Sequence, residues 1–382
     1  MKRNKLTNSV CMNQEKLRTV YCICHLIKSL VNPDMTYNND ILKQINWRHV
    51  KALASRQGVS SIISDALPYM PEEYRPNSDL LIDWMSSIIG QERSYAIQER
   101  TIAELSSFYQ SHGVRMLLLK GWGLSLNYPY PNHRPCGDVD VWLYGDQQKA
   151  DNIIEKEKGI HPIKSSHHTI FYFKDVEVEN HITFIETDCH KDDGSEQVIL
   201  EYTAEDPIKV ESANGIELLL PSPNLNAYFL LKHTALHFAT EGIILRHLLD
   251  WAFFVRKYHS EIDWNALYEN ARTRNMHIFL NCINSICINR LGFDSKMFPI
   301  YESFPKIEDR IFNDIFFPEF HEVAPRMRSN FIRYCYVKAK RHLSNKWKYQ
   351  ITYKGSYWGL LLRFGWNRIK SPYSFHDIKN DD

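Results

Sequence analysis

Up to residue 112 the apolar positions recur at helical spacing. Leu17, Val20, Tyr21, Cys24 and Ile27 share one face, 46–54 predicts a second helix ending near Gly58, and 59–67 continues the pattern until Pro68, Pro71 and Pro76 break it. Residues 79–112 predict one long helix, apolar at Leu80, Leu81, Trp84, Met85, Ile88, Ile89, Ile102, Leu105 and Phe108, with Gly113 as its C-cap. The polar triplets 91–93 and 98–100 read as its solvated face.

From Met116 the period changes. The run 116–119 suits a buried strand, 122–128 a short helix, and Pro129, Pro131 and Pro135 keep the chain irregular before a second strand over 138–143. A helix over 146–157, closed by Gly159, leads to strands over 167–173 and 176–182. A turn falls at 192–195, and 207–210 and 216–220 flank Asn214-Gly215, a hairpin signal. After Pro221 and Pro223 the helical spacing returns through Phe254 and again over 264–293, with loops and short helices over 294–323. The pattern divides the chain into an N-terminal helical region (1–112), an α/β core (113–221), a second helical region (222–325) and a C-terminal region (326–382). The fold class is α+β, a small mixed sheet flanked by helices.

The chain has 382 residues, 44% hydrophobic and 24% charged, with net charge +1, so nothing global draws it to nucleic acid or membrane. No apolar run is long enough to cross a bilayer, the basic N-terminus lacks the apolar stretch of a signal peptide, and the eight cysteines form no CxxC pair. These features suit a reducing cytoplasm. The charge is uneven. Residues 326–370 hold twelve Lys or Arg and no Asp or Glu, with ten aromatic side chains interleaved; the remainder holds 34 basic against 45 acidic. Such a stretch can hold tRNA or another single strand, lie on an anionic membrane through 358–366, or pack on the acidic remainder. The tryptophans and leucines favour packing.

The candidate chemistry begins at Asp138 and Asp140. Alternation along a strand puts both carboxylates on one face and Val139 and Val141 on the other. Two carboxylates side by side repel unless solvated or bridged, and Mg2+ (or Mn2+) suits them because it takes oxygen ligands shared with substrate phosphates. In 176–182 the same alternation groups Glu177, Glu179 and His181. Further on, His233, His237 and Glu241 stack at i, i+4 and i+8, and Arg246 and Asp250 sit at the spacing of an intrahelical ion pair. A zinc hydrolase built on His233 and His237 ranks last, because Thr234 stands where a metalloprotease motif has glutamate.

Leu119-Lys120-Gly121, then Arg134, then 137–141 (Gly-Asp-Val-Asp-Val) resemble the signature of a largely uncharacterised bacterial nucleotidyltransferase family of the polymerase β-like superfamily. The resemblance runs from about 46 to about 293. It implies a magnesium-dependent enzyme that moves a nucleoside monophosphate from an NTP to an acceptor. It also implies Asp138, Asp140 and a third carboxylate as catalytic metal ligands. The family's Glu-x-His strand maps that third carboxylate to Glu179, with Glu177 as fallback and His181 beside it. Lys120, Gly121, Trp122, Arg134 and His181 are the expected nucleotide contacts, Gly121 by close backbone approach and Arg134 by its fork. The chain has Trp122 where many superfamily members have serine after the glycine. His237 and Asp250 also match the pattern. The acceptor is unnamed, with a small molecule favoured over tRNA. The competing class is a non-catalytic module on the same fold that binds nucleotide, RNA or protein.

Overall fold

The computed structural model describes residues 2–35, 39–164, 168–183, 203–320 and 331–359. Among these residues seven strands form one mixed sheet: β1 (Leu117–Leu118), β2 (Val139–Trp142), β3 (Ile163–Lys164), β4 (His168–Phe173), β5 (Val176–His181), β6 (Ile208–Glu211) and β7 (Glu217–Leu220), in the order β3-β4-β5-β2-β1-β7-β6. The β2–β5 and β1–β7 pairs are parallel and the others antiparallel. Asn214-Gly215 turns the β6–β7 hairpin with Gly215 at φ 73°, and β4 and β5 join through Lys174 and Asp175, both at positive φ. Of the strand expected over 167–173 the described part is His168–Phe173, and residue 167 and the turn at 192–195 lie outside the described residues.

Alternation along the strands splits the interior in two. Met116, Leu118, Val139, Val141, Val178 and Leu218 point into one core, with Ile102, Leu105 and Tyr109 of the long helix Ser78–Ser111 and Ile154 of Gln147–Lys158. Leu117, Leu119 and Trp142 point into a larger core made by helices from both ends of the chain, including Lys2–Val31, Pro223–Thr240, Leu245–Tyr258 and His277–Asn289. The long helix joins both cores, since its first half supplies Trp84 and Ile88 to the larger one. The face of β2 that carries Asp140 therefore looks onto a wall of helices, not onto open water.

The described part of the basic C-terminal region packs. Tyr349, Tyr353 and Tyr357 form a small core with Ala239, and Trp347 stands edge-on to Phe238 with ring centroids 5.3 Å apart. Lys348, 2% exposed, is bonded to Asp314, and Asn345 donates to the Ala239 carbonyl. No helix among the described residues is long and apolar enough to cross a membrane.

Candidate active site

Gly121 ends the β1 segment with φ 58° and ψ −117°, a conformation that favours glycine. A β-carbon there would stand 3.2 Å from the Asp138 carbonyl oxygen. The turn thus brings 120–122 directly against the start of β2, and Leu119 N–H bonds the Asp140 carbonyl at 3.0 Å. Asp140 faces Glu179 in register across the parallel β2–β5 pair, and Trp142 faces His181.

Around Asp140 three side chains converge. Lys120 Nζ is 2.7 Å and His181 Nε2 2.9 Å from Asp140 Oδ1, and the same imidazole nitrogen is 3.6 Å from Glu179 Oε2. His168 Nε2 lies 3.9 Å from the other Glu179 oxygen. Asp140 is 3% exposed. Burial alone would raise its carboxyl, but Lys120 and His181 outweigh burial and hold it far below the usual carboxylate range. His181 lowers Glu179, against that group's burial. Burial works against the charged forms of His181 and Lys120, yet the carboxylates keep both above their ordinary values. Asp138 differs. It keeps solvent access at the cleft mouth, while crowding by the cleft and then the neighbouring Asp140 raise its carboxyl.

Ligand atoms of Asp140, Glu179 and His181 lie within 4.8 Å of one another, the one such set of three among the described residues. Asp138 stands apart from that set, and Glu177 is bonded by the Tyr172 hydroxyl at the far end of β5. Two carboxylates on adjacent rigid strands, with a third carboxylate at the mouth, fit a divalent cation that keeps waters. A lysine ammonium on the same oxygen shows that the spot favours positive charge. His233 and His237 stack edge to face at 4.3 Å, and His237 reaches Glu241 at 3.6 Å. They form no three-ligand set among the described residues.

A cavity of about 200 Å³ opens between sheet and helices, lined by Lys120, Gly121, Asp138 and Asp140 on one side and His233, His237, Arg246 and His247 on the other. Two expected nucleotide contacts have other employment. The Arg134 guanidinium grips Asp250 through Nε at 2.7 Å and Nη2 at 2.8 Å, so its fork is closed. Asp250 consequently pairs with Arg134 and not with Arg246 as its helical spacing suggested. The Trp122 indole is in the sheet core, which leaves only backbone at that position to meet a ligand.

The polar triplets of the long helix also depart from the solvated face that their charge pattern predicted. Gln98 Nε2 donates to the Gly137 carbonyl at 2.6 Å and Gln91 Nε2 to the Asn132 carbonyl at 3.0 Å. Glu92 accepts from Asn132 and His133, and His133 also bonds Asp65 at 2.7 Å. These bonds tie the loop 131–137 to a rigid helix and so place Asp138. Nothing in the sequence distinguishes Gln91 and Gln98 from exposed neighbours; only the loop folding back onto them gives them a partner.

An α+β core with a carboxylate-lined cleft beside a glycine turn is the architecture of the nucleotidyltransferase class. The sequence profile described as "Uncharacterised nucleotidyltransferase" matches residues 43–292, and the chain belongs to that family. No curated protein matches it. Among solved structures, an antigenic nucleotidyltransferase-like protein from Paracoccidioides brasiliensis is similar at 17% identity and a TM-score of 0.31, over 42% of this chain and 75% of that one.

Proposed function

We propose that the chain transfers a nucleoside monophosphate from an NTP to a hydroxyl or phosphate of a small acceptor, with Mg2+ or Mn2+. The observation that carries this reading is the register of Asp140 against Glu179, with Asp138 two residues earlier at the mouth of the same cleft. A divalent cation supplies charge that activates the acceptor oxygen and stabilises departing pyrophosphate. Two such cations would be held, one by Asp138 and Asp140 on the nucleotide side and one by Asp140 and Glu179 on the acceptor side. His181 orients both inner carboxylates through its Nε2 hydrogen. Gly121 lets phosphate approach the backbone without meeting a β-carbon. Lys120 neutralises Asp140 when the cation is away.

That last contact favours a second reading, a nucleotide-binding module in which the ammonium replaces the cation and no chemistry follows. One experiment separates the two. Each α-labelled NTP is incubated with magnesium, extract fractions and either wild type or Asp138→Asn. Label should enter an acceptor only with wild type. Equal or absent transfer by both proteins sinks the enzymatic reading.

A further inference from the structure

Arg246 is the second residue of Leu245–Tyr258 and lines the cavity opposite Lys120 and the aspartates. Its Nη1 donates to the Pro135 carbonyl at 3.0 Å, and its Nε is buried with no hydrogen-bond partner. The carboxylate four residues on is bound to Arg134. A buried donor without an acceptor is unfavourable, and the rest of the side chain, which lines the cavity with no carboxylate among the described residues bound to it, offers its charge to a ligand there. The side chain is also held for the task. Its stem lies on Gly58, where a β-carbon would come within 3.3 Å of Arg246 Cβ and Cδ. The first amides of its helix are not free to bind an anion: Leu245 N–H donates to the Gln57 side chain at 2.7 Å and Arg246 N–H to the Gln57 carbonyl at 3.2 Å. Only the guanidinium remains.

Its neighbours leave it the main positive charge on that wall. Burial pushes His247 down to about 4 and His233 well below its ordinary value, so both are neutral near pH 7. The cavity is bounded by Gly121 and Asp138, assigned to the donor, and by Asp140, shared between donor and acceptor, whereas Glu179, assigned to the acceptor alone, is not among its lining residues. We propose that Arg246 grips the terminal phosphate oxygens of the donor triphosphate, the role that the closed fork of Arg134 leaves vacant. This rests on the nucleotidyl-transfer reading and deepens it.

The test is calorimetric titration of the full chain with inorganic tripolyphosphate in magnesium buffer, for wild type, Arg246→Gln and Arg246→Lys. Arg246→Gln should weaken binding about ten- to hundredfold, the range for one charge-assisted contact. Arg246→Lys should fall between, because an ammonium restores charge but not the fork. If the glutamine variant does not fold, the lysine variant decides: a several-fold loss supports the assignment. In a parallel arm, inorganic monophosphate should bind far more weakly than tripolyphosphate. The assignment is overturned by tripolyphosphate affinity that does not change on substitution, by no binding to wild type, or by monophosphate binding as tightly. Label transfer is read separately. Its absence from wild type overturns the nucleotidyl reading, while Arg246-dependent binding would still establish an anion site.

Discussion

Replacing Asp250 by asparagine is the sharpest perturbation the structure offers. Its oxygens take two bonds from Arg134, and Oδ1 takes a third from the Tyr128 hydroxyl at 2.6 Å. All three side chains are buried. Asparagine keeps the shape but leaves the guanidinium facing no charge and turns one acceptor into a donor. Breaking a buried pair from one side costs about 3–5 kcal/mol, a large share of the roughly 5–15 kcal/mol that holds a typical domain. The sign of the pH dependence follows from Asp250 itself. Burial would raise its carboxyl, but Arg134 holds it below its ordinary value. The stabilisation is therefore complete above about pH 4, the unfolded value, and is lost as pH falls through the folded one. Urea unfolding followed by tryptophan fluorescence should show Asp250→Asn far less stable than wild type at pH 7, with the two converging in acid. Arg134→Met with Asp250→Leu should recover much of the loss, because no buried charge is then stranded. An Asp250→Asn protein within about 1 kcal/mol of wild type at pH 7 would refute the reasoning, since that is the scale of a single neutral hydrogen bond.

Four further outcomes are expected. Asp138→Asn should melt at or above wild type, because its carboxyl is ionised at a cost, whereas Asp140→Asn should melt lower, because Lys120 and His181 lose their anion; both should abolish label transfer. Lys120→Gln should bind Mn2+ more tightly than wild type in a nucleotide-free titration, since the ammonium competes for Asp140 Oδ1. His247, pushed by burial to about 4 from an unfolded value near 6.5, binds its proton later in the folded state. Wild type should thus lose about 3 kcal/mol through this group as pH falls from 6.5 to 4, and His247→Gln should flatten that limb of the urea-midpoint profile. A chain ending at Val323 should be destabilised and should not gain or lose salt-dependent tRNA retention on filters; a stable truncation that loses tRNA binding would revive the RNA reading.

The elements legible in the sequence were those written in local periodicity. The long helix was predicted over 79–112 and is found at Ser78–Ser111, and the Asn-Gly hairpin is where turn chemistry put it. β3 escaped notice because two exposed residues have no period to read. The face shared by Asp138 and Asp140 followed from alternation, but what that face looks at did not. Alternation says that Val139 and Val141 are inside; it is silent on a helical wall that arrives 85 residues later and makes Asp140 as buried as they are. The same limit explains Arg134 and Arg246. Sequence places Arg134 near the phosphate and pairs Arg246 with Asp250 along one helix, and only the third dimension gives Asp250 to the first and leaves the second without it.

The basic stretch illustrates how charge composition becomes structure. The rest of the chain is acidic, and part of the stretch turns inward to meet it. Lys348 reaches Asp314, and Lys338 and Arg341 help hold Glu241 below its ordinary value after the His237 contact. Arg341 and Asn345 also bind the carbonyls of Thr240 and Ala239, at the last turn of Pro223–Thr240. One to two turns earlier that helix carries His233 and His237 into the cleft. The C-terminal region therefore braces the helix that forms the wall opposite the carboxylates. Loss of this region should reach the site through the position of that wall, with no need for any residue of 331–359 to touch the nucleotide.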